Sequence, residues 1–291
     1  MPAAAAPSLL QLVVSHWELA NPSLDTMVPT ILSAYAAALY LYGVTRVRRR
    51  ASWPWRRTAS FLAGLLVVLV ALESGIDAYD DRLLSVHMVQ HMLLLLVAPG
   101  LLLAGQPLLL LVRASPAGRR ASAGRRLVRI GRRIHPLGCL AFLWVAILGT
   151  HLPAFYDLTL RDQAVHDTEH AVYLLAGLLV WWPLLDVDPA VGRRLSGFGR
   201  LAFAVAAMPP MALVGAYLDR NSTLVYAPYG FTSPALGVNP LADQAQAGAI
   251  MWVGGGTLLT VVGLWMAWRA LAEEERRQVR RERQAKLEVL S

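Results

Sequence analysis

The chain has 291 residues, of which 56% are apolar and only 16% charged, and its mean hydropathy is +0.46. A soluble domain carries about 25% charged residues, so this composition excludes an ordinary soluble protein and indicates several membrane spans. The formal net charge of +8 comes from arginine clusters between apolar stretches. Such clusters indicate membrane topology and attraction to anionic lipid headgroups rather than a nucleic-acid partner.

Seven apolar stretches are long enough to cross a bilayer, which takes about 20 residues of helix. Hydrocarbon offers no hydrogen-bonding partners, so backbone groups must pair within each stretch, and helix is the expected structure. The sequence therefore predicts an all-α polytopic membrane protein with a transmembrane domain over residues 27–270. In chain order the predicted spans are Met27–Thr45, Thr58–Ile76, Leu83–Val112, Pro136–Leu152, Ala164–Leu185, Phe198–Leu218 and Ala245–Ala270.

The third stretch and two connecting segments have features of their own. The third stretch is long for one crossing and contains Pro99, which predicts a kink, or a break followed by a short interfacial or re-entrant piece through Pro107. The connection Asp219–Asp243 is rich in proline and is expected to be turn and loop rather than helix. The tail Glu273–Glu288 mixes Glu and Arg at helical spacing, so we expect it to prolong the last span as a solvated helix.

The basic residues predict the orientation of the spans. Of the 27 Lys and Arg residues, 24 fall on one side of the alternating connections, and only Arg82, Arg161 and Arg220 fall on the other. The side rich in Lys and Arg is the cytoplasmic one. This places the N-terminus and segment 1–26 outside and the charged tail 271–291 in the cytoplasm. The basic groups lie within residues 46–57, 113–133, 193–200 and 269–286.

Two histidine pairs with the same spacing stand near the outer end of the predicted spans. His87 and His91 share one face of the third span, and His166 and His170 share one face of the fifth, because residues four apart on a helix are neighbours. Both pairs begin at about the same depth, and His151 ends the fourth span at that level. Of the seven histidines, His16 also falls on the outer side and only His135 on the cytoplasmic side.

Other polar and sulfur groups fall near this band of imidazoles. Glu169 could accept a hydrogen bond from an imidazole and orient it. Ionisable groups inside a membrane are costly and often functional, although a lone histidine is commonly a helix–helix hydrogen-bonding residue. Histidines with carboxylates and no thiolate suit copper, zinc or iron, and the nearby thioethers favour copper. The supporting residues are Glu73, Asp77, Glu169, Asp243, Met88 and Met92.

Several segments resemble the CtaG family of cytochrome c oxidase assembly factors. The third span carries His87-Met-Val-Gln-His91-Met-Leu-Leu and then Ala98-Pro99, which is similar to the third helix of that family. The likeness continues through the fifth and seventh spans, and the count of seven helices also agrees. Its further elements are His166-Asp-Thr-Glu-His170, Trp181-Trp182-Pro183, Pro240-Leu-Ala-Asp243-Gln244, Gly248 and Met251-Trp252.

The resemblance implies a bacterial plasma-membrane protein that helps to mature a haem–copper oxidase. Our hypothesis is an assembly factor rather than an enzyme. On this hypothesis some of the paired histidines take up copper, with His151 as a fifth ligand, and pass it to an oxidase subunit. Glu73, Asp77 and Asp243 would supply charge balance or a route for the ion. Whether the chain forms a homo-oligomer stays open.

Four alternatives remain at this point. Histidines on facing helices can ligate haem b. The chain could instead transport copper or protons, or serve copper homeostasis at large, although the inner halves of the spans hold few ionisable residues. Zinc fits the same imidazoles. A membrane hydrolase is the weakest alternative, because the sequence has no HExxH motif and no paired nucleophile and base.

Overall fold

The structure is a computed structural model that describes residues 8–14, 27–185 and 195–290. His16, Arg193 and Arg194 lie outside these residues, as does most of the predicted external segment 1–26. The described chain is helical throughout, which confirms the predicted all-α class. Its helices are α1 (Leu9–Val14), α2 (Val28–Arg48), α3 (Trp55–Glu73), α4 (Asp77–Asp80), α5 (Leu84–Met92), α6 (Ala98–Ala104), α7 (Pro107–Ala114), α8 (Ala117–Arg133), α9 (Pro136–Thr150), α10 (Pro153–Thr159), α11 (Gln163–Leu185), α12 (Gly197–Ala207), α13 (Pro209–Arg220), α14 (Tyr229–Ala235), α15 (Pro240–Ala249) and α16 (Gly256–Leu290), with π-helical turns at Leu93–Val97 and Ile250–Gly255.

The fourth predicted span is shorter in the structure than a membrane crossing requires. Helix α9 has 15 residues and is about 22 Å long at 1.5 Å per residue, less than the thickness of the hydrocarbon layer. It ends before Leu152 because the residue before Pro153 is pushed out of helical geometry. Taken together, helices α8 and α9 are long and apolar enough to cross a membrane, but they are bent by 62° at the break between them.

Among the described residues, six helical stretches can cross a membrane by length and composition, or seven if the bent α8–α9 pair forms one span. The predicted count of seven is therefore an upper bound, and the orientation of the termini stays a prediction. The six stretches are Val28–Arg48, Trp55–Glu73, Leu84–Ala114, Gln163–Leu185, Gly197–Arg220 and Pro240–Glu282.

The third span is interrupted twice. A π-helical turn precedes α6, whose second residue is Pro99, and such turns accommodate the missing proline N–H within a continuous helix. The chain then breaks between α6 and α7 at Gln106, which has a left-handed φ of 52°. Helix α7 begins at Pro107, where the fixed φ of proline suits a first turn. Of the alternatives expected from the sequence, the structure shows the break and a short helix from Pro107.

The π-helical turn lets the third span approach α11 closely. A Cβ atom at Gly177 would lie 2.2 Å from the carbonyl oxygen of Leu95 and 2.4 Å from the ring of Pro99. Only glycine allows the two backbones to come so near. This contact sets the spacing between the two helices that carry the paired histidines.

Three connections that are poor in arginine meet at one end of the bundle, above the paired histidines. Tyr229 donates a hydrogen bond to the backbone carbonyl of Asp80 at 2.7 Å, and Tyr226 donates one to that of His151 at 3.0 Å. Ser233 donates to the carbonyl of Arg82 at 3.1 Å. Residues 221–239 therefore form a cap, here called the tyrosine cap. It contains α14, so the expectation of turn and loop alone was wrong; the residues around Pro234 bury Tyr229 and Ser233 by coiling into a short helix.

Candidate metal centre

Helix α5 carries His87 and His91 one turn apart. Its first turn has no acidic residue of its own, and Asp243 at the start of α15 caps it instead. The carboxylate accepts hydrogen bonds from the amides of Leu84 at 2.7 Å and Ser85 at 3.3 Å. A carboxylate in this position satisfies free N–H groups and interacts favourably with the helix dipole. Asp243 thus holds the helix that presents both imidazoles.

Helix α11 presents the second pair, with Glu169 on the same face as His166 and His170. The ring centroids lie 4.1 Å apart within this pair and 4.3 Å apart within the pair of α5. Between the helices, the centroids of His87 and His166 are 5.3 Å apart, and those of His91 and His170 are 6.0 Å apart. The four imidazoles therefore form two layers separated by one helical turn.

Two buried carboxylates face these imidazoles. Oε2 of Glu169 lies 3.9 Å from Nε2 of His87 and 3.8 Å from Nε2 of His91. Asp80, on α4 outside the spans, places Oδ2 3.4 Å from Nε2 of His166. Within the described chain the ion-pair partners of both carboxylates are histidines. Burial is the main reason that the pKa of the Asp80 carboxyl is raised well above its usual range.

Nine buried nitrogen and oxygen atoms of this cluster have no hydrogen-bond partner in the described chain. An unsatisfied buried polar group costs about 1–3 kcal/mol, so proteins rarely leave several of them together. Their concentration here indicates that something else satisfies them. The atoms are Nδ1 and Nε2 of His87, Nδ1 and Nε2 of His91, Nε2 of His151, Nε2 of His166, both carboxylate oxygens of Glu169, and Oδ2 of Asp80.

A metal ion fits these atoms by distance as well as by chemistry. With metal–ligand bonds of about 2.0 Å, the ligand atoms of a tetrahedral site lie about 3.3 Å apart. The nitrogen–oxygen separations of 3.4, 3.8 and 3.9 Å approach that value. Two sets of three ligand atoms each lie within 4.8 Å of one another: one from Asp80, His166 and His170, the other from His87, His166 and Glu169.

His151 lies beside the cluster but belongs to neither set of three. Its Nδ1 is 2.8 Å from the carbonyl oxygen of Ile147, which can only accept, so Nδ1 carries the proton. The other nitrogen, Nε2, is then a free acceptor in a neutral ring. The His151 ring centroid is 6.2 Å from that of His91.

Gln90 links Asp77 to the deeper histidine layer. Its amide group donates to Asp77 at 2.8 Å and to the carbonyl of Ala71 at 2.9 Å. The amide oxygen of Gln90 is consequently left to accept from Nε2 of His170, 3.0 Å away. This arrangement leaves Nδ1 of His170 unprotonated, so Asp77 acts on the cluster through Gln90.

Four buried tyrosines enclose the imidazoles. The ring of Tyr173 stacks on His91 with centroids 4.0 Å apart, and Tyr156 lies 5.1 Å from His87. Tyr156 in turn stacks on Tyr226 at 3.8 Å. Burial raises the pKa of Tyr229 in the cap well above its usual range. These rings exclude water from the site, which strengthens electrostatic interactions inside it.

The remaining predicted supporting residues lie elsewhere. Glu73 accepts hydrogen bonds from the amide and hydroxyl of Thr30, at 3.0 and 2.9 Å, and so caps the N-terminus of α2. Met88 is part of the apolar core. The sulfur atoms of Met92 and Met211 both lie beside Gly255 of the last span.

The sequence-based interpretation omitted Asp80 from the site. Asp80 stands three residues after Asp77 in an acidic connection between two spans, and that density of acids was the available signal. Gln90 was part of the quoted motif but was given no role. The enclosing tyrosines gave no signal beyond their number: Tyr156, Tyr173, Tyr226 and Tyr229.

The fold and this site define an all-helical polytopic membrane protein with a buried histidine–carboxylate cluster beneath one end of its bundle. The chain belongs to the cytochrome c oxidase caa3 assembly factor family (Caa3_CtaG), whose model matches residues 38–273. The match begins within α2 and ends within α16, so it includes every residue of the cluster.

Curated relatives come from mycobacteria. Uncharacterized proteins of Mycobacterium bovis and Mycobacterium tuberculosis are each 30% identical over 257 residues, which is 84% of this chain and 38% of the relative. An uncharacterized protein of Mycobacterium leprae is 29% identical over 262 residues, or 84% of this chain and 39% of the relative. The chain thus spans about two fifths of the length of these relatives. No solved structure matches it.

Proposed function

We propose that this chain is a membrane assembly factor for a haem–copper cytochrome c oxidase, and that it binds copper as cargo and delivers it to an oxidase subunit. Its family membership supports the assembly role. The observation that carries the copper role is the set of buried imidazole and carboxylate atoms with no hydrogen-bond partner. Under this proposal the chain binds an ion and transfers it to a client, and it does not act as an enzyme.

The donor set favours divalent copper over other common metals. Imidazole nitrogens with carboxylate oxygens bind first-row metals in an order that peaks at Cu²⁺. When ion binding displaces their protons, Glu169 and Asp80 bring two negative charges, which balance a divalent ion inside a low-dielectric enclosure. His87 and His166 supply imidazoles from opposite helices, so a bound ion also joins α5 to α11.

Elemental analysis of detergent-purified protein tests the proposal. After loading with Cu²⁺ and removal of free metal, we expect about one equivalent of copper in the natural chain and little in the His87→Ala/His166→Ala variant. The His135→Ala variant is the matched control, because His135 is exposed at the start of α9, where its ring accepts a hydrogen bond from the amide of Leu137. Full copper content in the double variant would contradict this assignment of the copper site.

The same preparations decide between copper and the alternatives. A Soret band in the visible spectrum would favour haem b, and zinc in preference to copper under competition would favour a zinc site. Accumulation of copper inside proteoliposomes would favour transport over delivery.

A further inference from the structure

The two candidate sets of ligands overlap at one residue. His166 belongs both to the set with Asp80 and His170 and to the set with His87 and Glu169. The buried nitrogen of His166 that lacks a partner is Nε2, and one lone pair binds one ion at a time. The two sets therefore cannot both be filled through this nitrogen.

The two sets differ in their access to the surface. The side chains of Asp80 and His166 are 5% and 9% exposed, whereas those of His87 and Glu169 are both fully buried. Asp80 lies on a connection between spans, and Glu169 lies two turns into α11. The two sets therefore differ mainly in their carboxylates: Asp80 is at the rim of the cluster and Glu169 is in its interior. His170 of the first set, in contrast, lies one helical turn deeper than His87 of the second.

The two sets offer the same ligand types. Each has one carboxylate and two imidazoles, and the shared His166 stays bound to the ion while the other ligands exchange. His87 and Glu169 are fully buried, and electrostatic interactions are stronger where water is excluded, so the ion rests in the position that contains Glu169.

We propose that Asp80, His166 and His170 form an outer copper position, from which the ion passes to an inner position made by His87, His166 and Glu169. In this step the bonds to Asp80 and His170 break and bonds to His87 and Glu169 form, with no change in oxidation state. Release to a client follows the reverse path. The inference rests on the proposed function, because it assumes that copper is the cargo.

Copper exchange kinetics on the full-length purified protein tests this path. We would measure copper stoichiometry and affinity at equilibrium, and then the rate at which excess EDTA removes bound Cu²⁺. In Asp80→Asn we expect one equivalent at nearly unchanged affinity, with uptake and removal both slowed by the same factor. In Glu169→Gln we expect affinity to fall by at least about 10–100-fold, the loss typical of an outer-shell partner, because a direct ligand is lost.

Matched variants separate the path from a general structural effect. Asp81→Asn removes a neighbouring carboxylate whose side chain is 65% exposed, and should leave both rates unchanged. Asp80→Glu keeps a carboxylate at the rim and should restore exchange if Asp80→Asn folds poorly.

Each other outcome overturns a defined part of the argument. Natural rates in a folded Asp80→Asn variant would mean that copper does not pass Asp80. Equal losses of affinity in Asp80→Asn and Glu169→Gln would mean a single position that uses both carboxylates, and two equivalents in the natural chain would mean two independent sites. No copper in the natural chain would instead contradict the proposed function itself.

Discussion

At the scale of single residues, Gln90 has a larger role than its neutral side chain suggests. Its amide nitrogen donates a hydrogen bond to Asp77, and its amide oxygen accepts one from His170 and so keeps the proton on Nε2 of that ring. Replacing it with methionine keeps the volume but frees the imidazole to adopt either tautomer. Because His170 is a ligand of the outer position alone, we expect Gln90→Met to slow copper uptake and removal by about 10–100-fold, at nearly unchanged affinity.

The rate of copper removal by EDTA and isothermal titration with Cu²⁺, together with a thermal unfolding scan, check this prediction. Gln163→Met is a suitable control, because Gln163 is exposed and, among the described residues, donates its side-chain hydrogen bond to Asp167 at the start of α11. Natural exchange rates in Gln90→Met would mean that the tautomer of His170 does not matter for the passage of copper.

From the sequence one could predict how deep a side chain lies in the membrane, but not the direction in which it points from its helix axis. Spacing alone identified the pairs His87/His91 and His166/His170, because four residues make nearly one helical turn. Depth also selected Glu73 and Asp243, yet both face helix N-termini rather than the imidazoles. Which way a carboxylate points depends on helix rotation, which a nearly uniformly apolar sequence does not encode.

The site residues that the sequence analysis missed lie on the segments that connect the spans, or reach the site through contacts with those segments. Asp80 reaches His166 because the short helix α4 folds back over α5, and Tyr226 and Tyr229 arrive from a connection far away in sequence. Such contacts follow from tertiary structure, for which local pattern carries no signal.

At the scale of helices, the contact at Gly177 should control the spacing of the two histidine pairs. A methyl group there would collide with backbone atoms of the π-helical turn and with Pro99. Because backbone cannot move aside cheaply, we expect Gly177→Ala to lower the unfolding temperature and to weaken copper binding as α11 shifts outward. Gly138→Ala in α9 meets nothing within 4 Å and should have neither effect; equal behaviour of the two variants would contradict the prediction.

Helix α8 has the composition of a helix that lies on a charged membrane surface. It carries seven arginines and no acidic residue, and Ile130 on it is exposed. Basic residues near an anionic surface contribute about 1 kcal/mol each. We therefore expect the triple variant Arg125→Gln/Arg129→Gln/Arg132→Gln, reconstituted in mixed-lipid nanodiscs, to bind phosphatidylglycerol more weakly, especially at low salt.

A second triple variant serves as the control for phosphatidylglycerol binding. Arg276→Gln/Arg280→Gln/Arg281→Gln removes the same charge from the tail of α16, where neighbouring glutamates already offset it. Equal weakening by both triple variants would mean that total charge, rather than α8, governs binding.

At the scale of the whole molecule, the arginine distribution and the position of the site together predict which side of the membrane the tyrosine cap faces. If the side rich in arginine is cytoplasmic, the tyrosine cap and the cluster below it face the outside. The natural Cys139 is buried, so a cysteine placed at exposed Phe231 or exposed Ser122 can report on each face.

A membrane-impermeant maleimide distinguishes the two faces in intact cells. We expect Phe231→Cys to react at once and Ser122→Cys to react only after the membrane is permeabilised. This result requires an odd number of crossings between the two positions and so also tests whether α8 and α9 form one span. Reaction of both cysteines without permeabilisation would contradict the predicted topology.

The cap that Asp243 provides for α5 has a consequence for how the protein is made. The carboxylate belongs to the last span, while the histidines it supports belong to the third. During synthesis α5 enters the membrane long before its partner leaves the ribosome. If the cluster binds the proposed copper ion, we therefore expect a nascent chain to bind it more weakly than the finished molecule does.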